Sequence, residues 1–251
     1  MINKIWVRLY IASQKCYGKN NIRYIFKTQK DSDLLLVVFS GFSGANEPAR
    51  YNYIRTLLPV KANKLFILDD FGYQNQGGYY LIGRQGDDTL PEEICSLIEK
   101  LRGNKKLVTI GTSKGGTAAL LYGLTCGADA VIAGAPQYHL GTYLTEPDHL
   151  AILEGICGNT SKDSVQKLDN LLPNQVQHGK NSNMSVFVHC AVQDHTFEEH
   201  VKDMVSDLEK QGYAVHKDLD NRYADHSSVG RYFPEYLINV LKKLMQKHSD
   251  H

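Results

Sequence analysis

Long apolar runs are the first thing this chain lacks. No stretch of its 251 residues approaches the roughly 20 consecutive apolar residues that cross a bilayer. A transmembrane segment is therefore not expected. The opening residues, Met1 to Arg8, lack the continuous apolar core of a secretory signal. Neither sign of charge dominates: 28 Lys and Arg stand against 27 Asp and Glu, a net +1, which gives no global drive toward nucleic acid or an anionic surface. Cysteine is sparse and never spaced C-x-x-C; Cys16, Cys95, Cys126, Cys157 and Cys190 read as free thiols of a reducing compartment, so a cytoplasmic location is expected. No metal site is readable, because His195 and His200 lie five apart without a third ligand at a sensible spacing. Repeats and low-complexity tracts are absent too. What remains, at 42% hydrophobic and 22% charged residues, is the composition of an ordinary globular protein.

Short apolar runs alternate with helical patterns. Strands are expected near Ile5–Ile11, Arg23–Phe26, Leu34–Phe39, Lys64–Leu68, Lys106–Ile110, Ala130–Ala133, Ser185–Ala191 and Ala214–Leu219. The first two runs, joined through Tyr17 to Asn21, read as an antiparallel hairpin. The central runs are apolar throughout, as parallel strands covered on both faces require. Helices are expected at Pro91–Leu101, Gly115–Leu124, Phe197–Gln211 and Gly230–Lys247. This alternation predicts a single α/β domain over residues 1–251, a mostly parallel sheet with helices on both faces. Residues 137–183 break the rhythm: more than forty residues hold no good strand and are punctuated by Pro147 and Pro173. An insertion of that length between strands predicts a cap over a site.

The most informative stretch is Gly111-Thr112-Ser113-Lys114-Gly115-Gly116, entered from Lys106–Ile110 and left through Thr117–Leu124. Strand, G-x-S-x-G and helix make the frame of a nucleophile elbow in an α/β-hydrolase fold. The glycines two before and two after the serine leave space for the neighbouring strand and helix. A serine hydroxyl needs a histidine to take its proton and a carboxylate to orient that histidine. In this fold the acid follows a late strand and the histidine follows the last one. Asp194 ends the run Val186–Gln193, and His226 lies beyond Ala214–Leu219, so Ser113, Asp194 and His226 are the candidate catalytic set. A lone aspartate at a strand end is commonly a cap, and a lone histidine is commonly a surface polar group; chain order and position lift these two. Asp225 is adjacent to His226 and badly placed to face it, while His195 is the second-choice base. An oxyanion hole needs two backbone N–H donors aimed at one point. Lys114, after the serine, and Phe42, in the loop Ser40 to Ala45, are the candidates.

These motifs, with the Ser113-Lys114-Gly115-Gly116 and Ala135-Pro136-Gln137 steps and Tyr51-Asn52-Tyr53-Ile54 after the oxyanion loop, resemble α/β-hydrolase-fold O-acetyltransferases of bacterial capsule polysaccharide. More distantly the chain resembles the acetyltransferase of the accessory Sec glycoprotein-export system. The likeness runs from about Leu34 to the C-terminus. It implies acetyl-CoA as acyl donor, an acetyl-serine intermediate, a polysaccharide or oligosaccharide hydroxyl as acceptor, no bound cofactor, and Gln137 as a substrate-side residue. The same machinery serves a carboxylesterase or deacetylase with water as acceptor, and a non-catalytic scaffold in polysaccharide assembly is the reading from another class. Tyr79, in Gly77-Gly78-Tyr79-Tyr80, offers a ring for stacking on a sugar. Lys114, Arg50, Arg55 and Arg84 are cations for CoA phosphates or an anionic polymer. Asp69-Asp70-Phe71-Gly72 reads chiefly as a strand-terminal turn.

Overall fold

The computed structural model describes residues 2–43, 47–72 and 77–246. Gly44 and Ala45 of the expected oxyanion loop and Lys247 of the expected last helix lie outside them. Eight strands form one sheet: β1 (Lys15–Tyr17), β2 (Ile22–Lys27), β3 (Leu34–Phe39), β4 (Asn63–Ile67), β5 (Lys106–Thr112), β6 (Ala130–Gly134), β7 (Ser185–Ala191) and β8 (Ala214–Asp220). Their order is β1-β2-β4-β3-β5-β6-β7-β8. β1, β2 and β4 pair antiparallel, and β4 through β8 run parallel. This mostly parallel arrangement, covered by helices on both faces, is the α/β-hydrolase architecture.

The alternation of side chains along β3 shows why the strands read as unbroken apolar runs. Leu35, Val37 and Phe39 enter one core; Leu34, Leu36 and Val38 enter the other. Each face is closed by helices, so both sets are buried and period-two patterning disappears. On the first face lie α3 (Leu90–Arg102) and α4 (Lys114–Cys126), together with α8 (Leu171–His178) and α9 (Lys202–Lys210). On the second lie α1 (Ile2–Ala12), α2 (Ile54–Leu57) and α10 (Val229–Gln246). α4 is buried almost throughout, and its glycines permit that: a Cβ on Gly123 would stand 2.5 Å from Val131 Cγ2 of β6.

Two expectations are corrected. The run Ile5–Ile11 is not a strand but part of helix α1; the hairpin is formed by β1 and β2 instead. A short, nearly continuous apolar run satisfies either period, and here only Val7 and Tyr10 turn inward, Tyr10 meeting Phe66 edge to face with ring centroids 6.2 Å apart. The run Phe197–Gln211 begins as a π-helical turn, Phe197–Val201, before α9. Between β6 and β7, residues 137–183 fold as α5 (Leu140–Tyr143), α6 (Leu150–Cys157), α7 (Lys162–Asp169) and α8, with no strand among them. Leu140, Tyr143, Leu144, Leu153 and Leu168 of this segment form their own small core with Tyr79.

Candidate active site

β5 ends in the turn that carries Ser113, whose backbone sits at φ 51° and ψ −126°. A non-glycine residue there costs on the order of 1–3 kcal/mol, so the surroundings must enforce it. They do. Ser113 N–H donates to Gly134 O at 2.8 Å, and Ser113 C=O accepts from Thr117 N at 2.9 Å. A Cβ on Gly111 would lie 2.0 Å from Gly115 O, one on Gly115 would lie 2.6 Å from Phe39 O, and one on Gly116 would lie 2.9 Å from Gly134 O. Three backbones thus approach the turn too closely for any side chain.

The structure brings the three sequence-selected residues together. His226 opens a single 3-10 turn after β8, and its Nε2 lies 3.0 Å from Ser113 Oγ. Its Nδ1 lies 3.1 Å from Asp194 Oδ2. Asp194 is buried, and its Oδ1 accepts from Thr196 N at 2.9 Å. Burial works to raise the Asp194 carboxyl, yet the hydrogen bond and charge of His226 and the donors of Thr196 hold it below its ordinary value. Thr196 Oγ1 is also 2.9 Å from His226 Nδ1, a second partner for the same nitrogen that nothing in the sequence singles out. Asp225 faces the Ser227 hydroxyl instead. His195 is half-exposed, with Nδ1 3.5 Å from Asp194 Oδ1 and its ring 5.7 Å from that of His226.

Gln137 stands on the other side of the serine. Its Nε2 lies 3.3 Å from Ser113 Oγ, and it is fully buried. Its amide is oriented by Tyr79, whose hydroxyl donates to Oε1 at 3.4 Å, while its backbone N–H donates to Thr117 Oγ1 at 2.9 Å. Tyr79 is 1% exposed, so it does not offer an open ring for sugar stacking: it is enclosed by Phe42 and the helical segment, and it acts through its hydroxyl.

The side chain of Lys114 is not available to phosphate. Both it and Asp69 are wholly buried, with Nζ 2.9 Å from Asp69 Oδ2. Burial pushes the Lys114 ammonium below its ordinary value, against the opposing pull of Asp69. Asp69 also accepts from Gly78 N at 3.0 Å and Tyr80 N at 3.1 Å, and a Cβ on Gly77 would collide with Lys114 Nζ and Asp69. Lys114 Nζ stands 4.7 Å from the centre of the Phe42 ring and 5.3 Å from that of Tyr80. Tyr80 in turn meets Ser40, whose N–H donates to the Tyr80 hydroxyl at 2.5 Å. Asp69 is therefore no mere strand-end turn. It ties the residue after Ser113 to the loop of Tyr79 and Tyr80, and through Tyr80 to Ser40 and the loop of Phe42. Gly41 N–H, donating to Asn52 Oδ1 at 2.9 Å, anchors that loop from its other side.

Arg84 stands apart from this cluster. It reaches Asp70 at 3.3 Å and Asn20 O at 3.2 Å, and it lines a cleft of about 640 Å³ with Phe71, Ile82, Ala151 and Glu154. Arg50 pairs with Glu47. Among the described residues no three His, Cys, Asp or Glu side chains gather as a metal would need. Beneath the helical segment, His200 is 2% exposed and accepts from His139 N at 3.3 Å. Burial, with His139 and His195 beside it, pushes it down to about 4.

Set against known proteins, residues 17–250 match the model of the accessory Sec system GspB-transporter family. An accessory Sec system protein of Staphylococcus aureus (strain NCTC 8325 / PS 47), named for that same family, is 23% identical over 261 residues, 96% of this chain and 49% of that relative. This chain thus spans about half the length of that curated relative. A capsule O-acetyltransferase of Neisseria meningitidis serogroup A, solved as a mutant in complex with CoA, superposes with a TM-score of 0.76 at 22% identity, covering 92% of this chain and 96% of the other. A chain of the glycosylation associate protein (Gap123) complex from Streptococcus agalactiae gives a TM-score of 0.70 at 18% identity, covering 91% of this chain and 46% of that one. Among the described residues, no helix is long and apolar enough to cross a membrane.

Proposed function

The chain belongs to the accessory Sec system GspB-transporter family, and from that premise we propose that it is a serine O-acetyltransferase acting on hydroxyls of a bacterial surface polysaccharide. The observation that carries the reading is the hydrogen-bonded line from Ser113 Oγ to His226 Nε2 and from Nδ1 to Asp194. Acetyl-CoA is the proposed donor, in keeping with the CoA held by the capsule O-acetyltransferase.

In the first half-reaction Ser113 Oγ attacks the thioester carbonyl while His226 Nε2 takes the serine proton. Asp194 keeps the Nδ1 proton directed toward itself and stabilises the imidazolium. The N–H groups of Phe42 and Lys114 receive the carbonyl oxygen as it becomes negative, helped by the N-terminal end of α4. Collapse breaks the C–S bond, His226 returns the proton to the departing thiolate, and acetyl remains on Ser113. In the second half a sugar hydroxyl loses its proton to His226 and attacks the acetyl carbonyl. The ester C–O bond to serine breaks, and Oγ recovers the proton. Gln137 Nε2, beside Oγ, is the substrate-side donor.

We also propose that the chain is one domain and that its helical segment, residues 137–183, is a cap that positions the acceptor and limits water. A cytoplasmic setting fits both the donor and the five free thiols, two of which are hydrogen-bonded and not joined as a disulfide, Cys126 Sγ donating to Cys95 Sγ at 3.3 Å. The test is purified protein with acetyl-CoA, with and without capsule oligosaccharide, followed by mass spectrometry of protein and sugar. Acetylated sugar supports the transferase. Acetate alone, at the same rate with and without sugar, identifies a hydrolase, and no turnover of either leaves the scaffold.

A further inference from the structure

Charge is unevenly placed along this nearly neutral chain. The first thirty residues contain seven Lys and Arg and no Asp or Glu, whereas the other 221 carry 21 Lys and Arg against 27 Asp and Glu. Two of the seven are spoken for: Lys19 pairs with Asp87 and Arg23 with Asp70. Lys4, Arg8 and Lys15 are exposed and enter no ion pair among the described residues. Lys27 stands over the Tyr10 ring at 5.0 Å, on the flank of α1.

Among the described residues, the same region holds the most exposed large apolar side chains. Ile5, Trp6, Leu9 and Ile11 are 55, 52, 53 and 47% exposed. At 100° per residue Ile5, Trp6 and Leu9 fall within about 100° of arc; Arg8 lies about 60° beyond the Ile5 edge of that stripe and Lys4 about 40° further round. Val7 and Tyr10, on the opposite side, hold the helix to the sheet. The family match begins at residue 17, beyond α1, so this face is not part of what the chain shares with that model.

We propose that α1 is a peripheral anchor that seats on an anionic lipid bilayer. The apolar stripe enters the headgroup boundary with its tryptophan, while Lys4, Arg8, Lys15 and Lys27 lie against lipid phosphates. The combination decides the partner. A nucleic acid or anionic polymer is held by the cations but gives Ile5, Trp6 and Leu9 nothing to enter. An apolar protein surface gives the cations nothing to meet.

Trp6 is the only tryptophan, so its emission reports this helix alone. The full chain is titrated with phosphatidylglycerol-containing vesicles and with pure phosphatidylcholine vesicles, following Trp6 fluorescence and co-sedimentation. The expected result is a blue shift and pelleting with the anionic vesicles only. Binding should weaken roughly fivefold for each of Lys4→Gln and Arg8→Gln and be lost on raising salt. Leu9→Glu should abolish the blue shift while leaving the thermal unfolding midpoint unchanged, since Leu9 touches solvent. Three results overturn the proposal: no response to either vesicle, an equal response to both that ignores Lys4→Gln and Arg8→Gln, or lipid-free self-association that Leu9→Glu abolishes, which would make the occupant a second copy of this chain.

Discussion

Replacing Lys114 by methionine removes a cation but leaves Asp69 buried beside it, with the Gly78 and Tyr80 N–H groups still donating to its carboxylate. Breaking a buried pair on one side costs about 3–5 kcal/mol, because the remaining charge has no water to replace its partner. Against a total stability of about 5–15 kcal/mol, that is a large fraction. The pair itself is not worth that amount: burial already pushes Lys114 below its ordinary value, so the attraction of Asp69 only part-offsets desolvation. The double variant Lys114→Met with Asp69→Asn removes the stranded charge while keeping an oxygen for Gly78 and Tyr80. It should therefore be more stable than Lys114→Met alone, and the two substitutions should depart from additivity by about 0.5–3 kcal/mol. Guanidinium unfolding of wild type, both singles and the double measures all four corners, and acylation by a small activated ester reports whether the Phe42 loop stays in place. A cost below about 1 kcal/mol for Lys114→Met, with unaltered acylation, refutes the reasoning.

Ser113→Ala should leave the unfolding midpoint unchanged and lower turnover by at least about a thousandfold. His226→Ala should be similarly damaging, and the double variant no worse than either, which steady-state kinetics of the three would show; additive losses would mean the two do not act as one unit. Asp194→Asn should cost less than either in turnover, and it should also remove part of the acid sensitivity of folding. The carboxyl is held below its ordinary value, so its contribution is present above the unfolded value near 3.9 and is lost as pH falls through the lower folded value. His200 acts in a different window. Pushed down to about 4, it leaves stability untouched above about pH 6.5 and lowers it by about 2 kcal/mol at pH 5, where the unfolded chain takes up the proton. Denaturant midpoints at pH 7 and pH 5 should converge in His200→Gln.

How much of this is legible in the sequence depends on the range of the signal. β3 declares itself because six consecutive apolar residues suit a strand covered on both faces. The elbow declares itself because each of its glycines answers a backbone approach in or beside the turn. Asp194 and His226 follow from order along the chain, since the fold puts them after fixed strands, and the structure brings His226 to Ser113 and Asp194 to His226. Asp69 looks ordinary because its partner lies 45 residues away, and no local pattern distinguishes a buried aspartate from a turn aspartate. Tyr79 misleads for the same reason: the loop that hides it is closed by Phe42, Gln137 and the helical segment, all distant in sequence. Thr196 follows Asp194 by two residues, a spacing common to any Asx turn, so its reach to His226 carries no local mark. α1 imitates a strand because the run is short and its outward face is apolar too.

The most direct test of the central claim is peptide mapping by mass spectrometry of the protein quenched in acid moments after mixing with acetyl-CoA. The expected result is one acetyl group on the peptide that contains Ser113, absent from Ser113→Ala and strongly reduced in His226→Ala, and chased from the protein onto added capsule oligosaccharide. Sugar acetylated by the Ser113→Ala variant at the wild-type rate, or acetyl found on another residue while Ser113 stays bare, would contradict it.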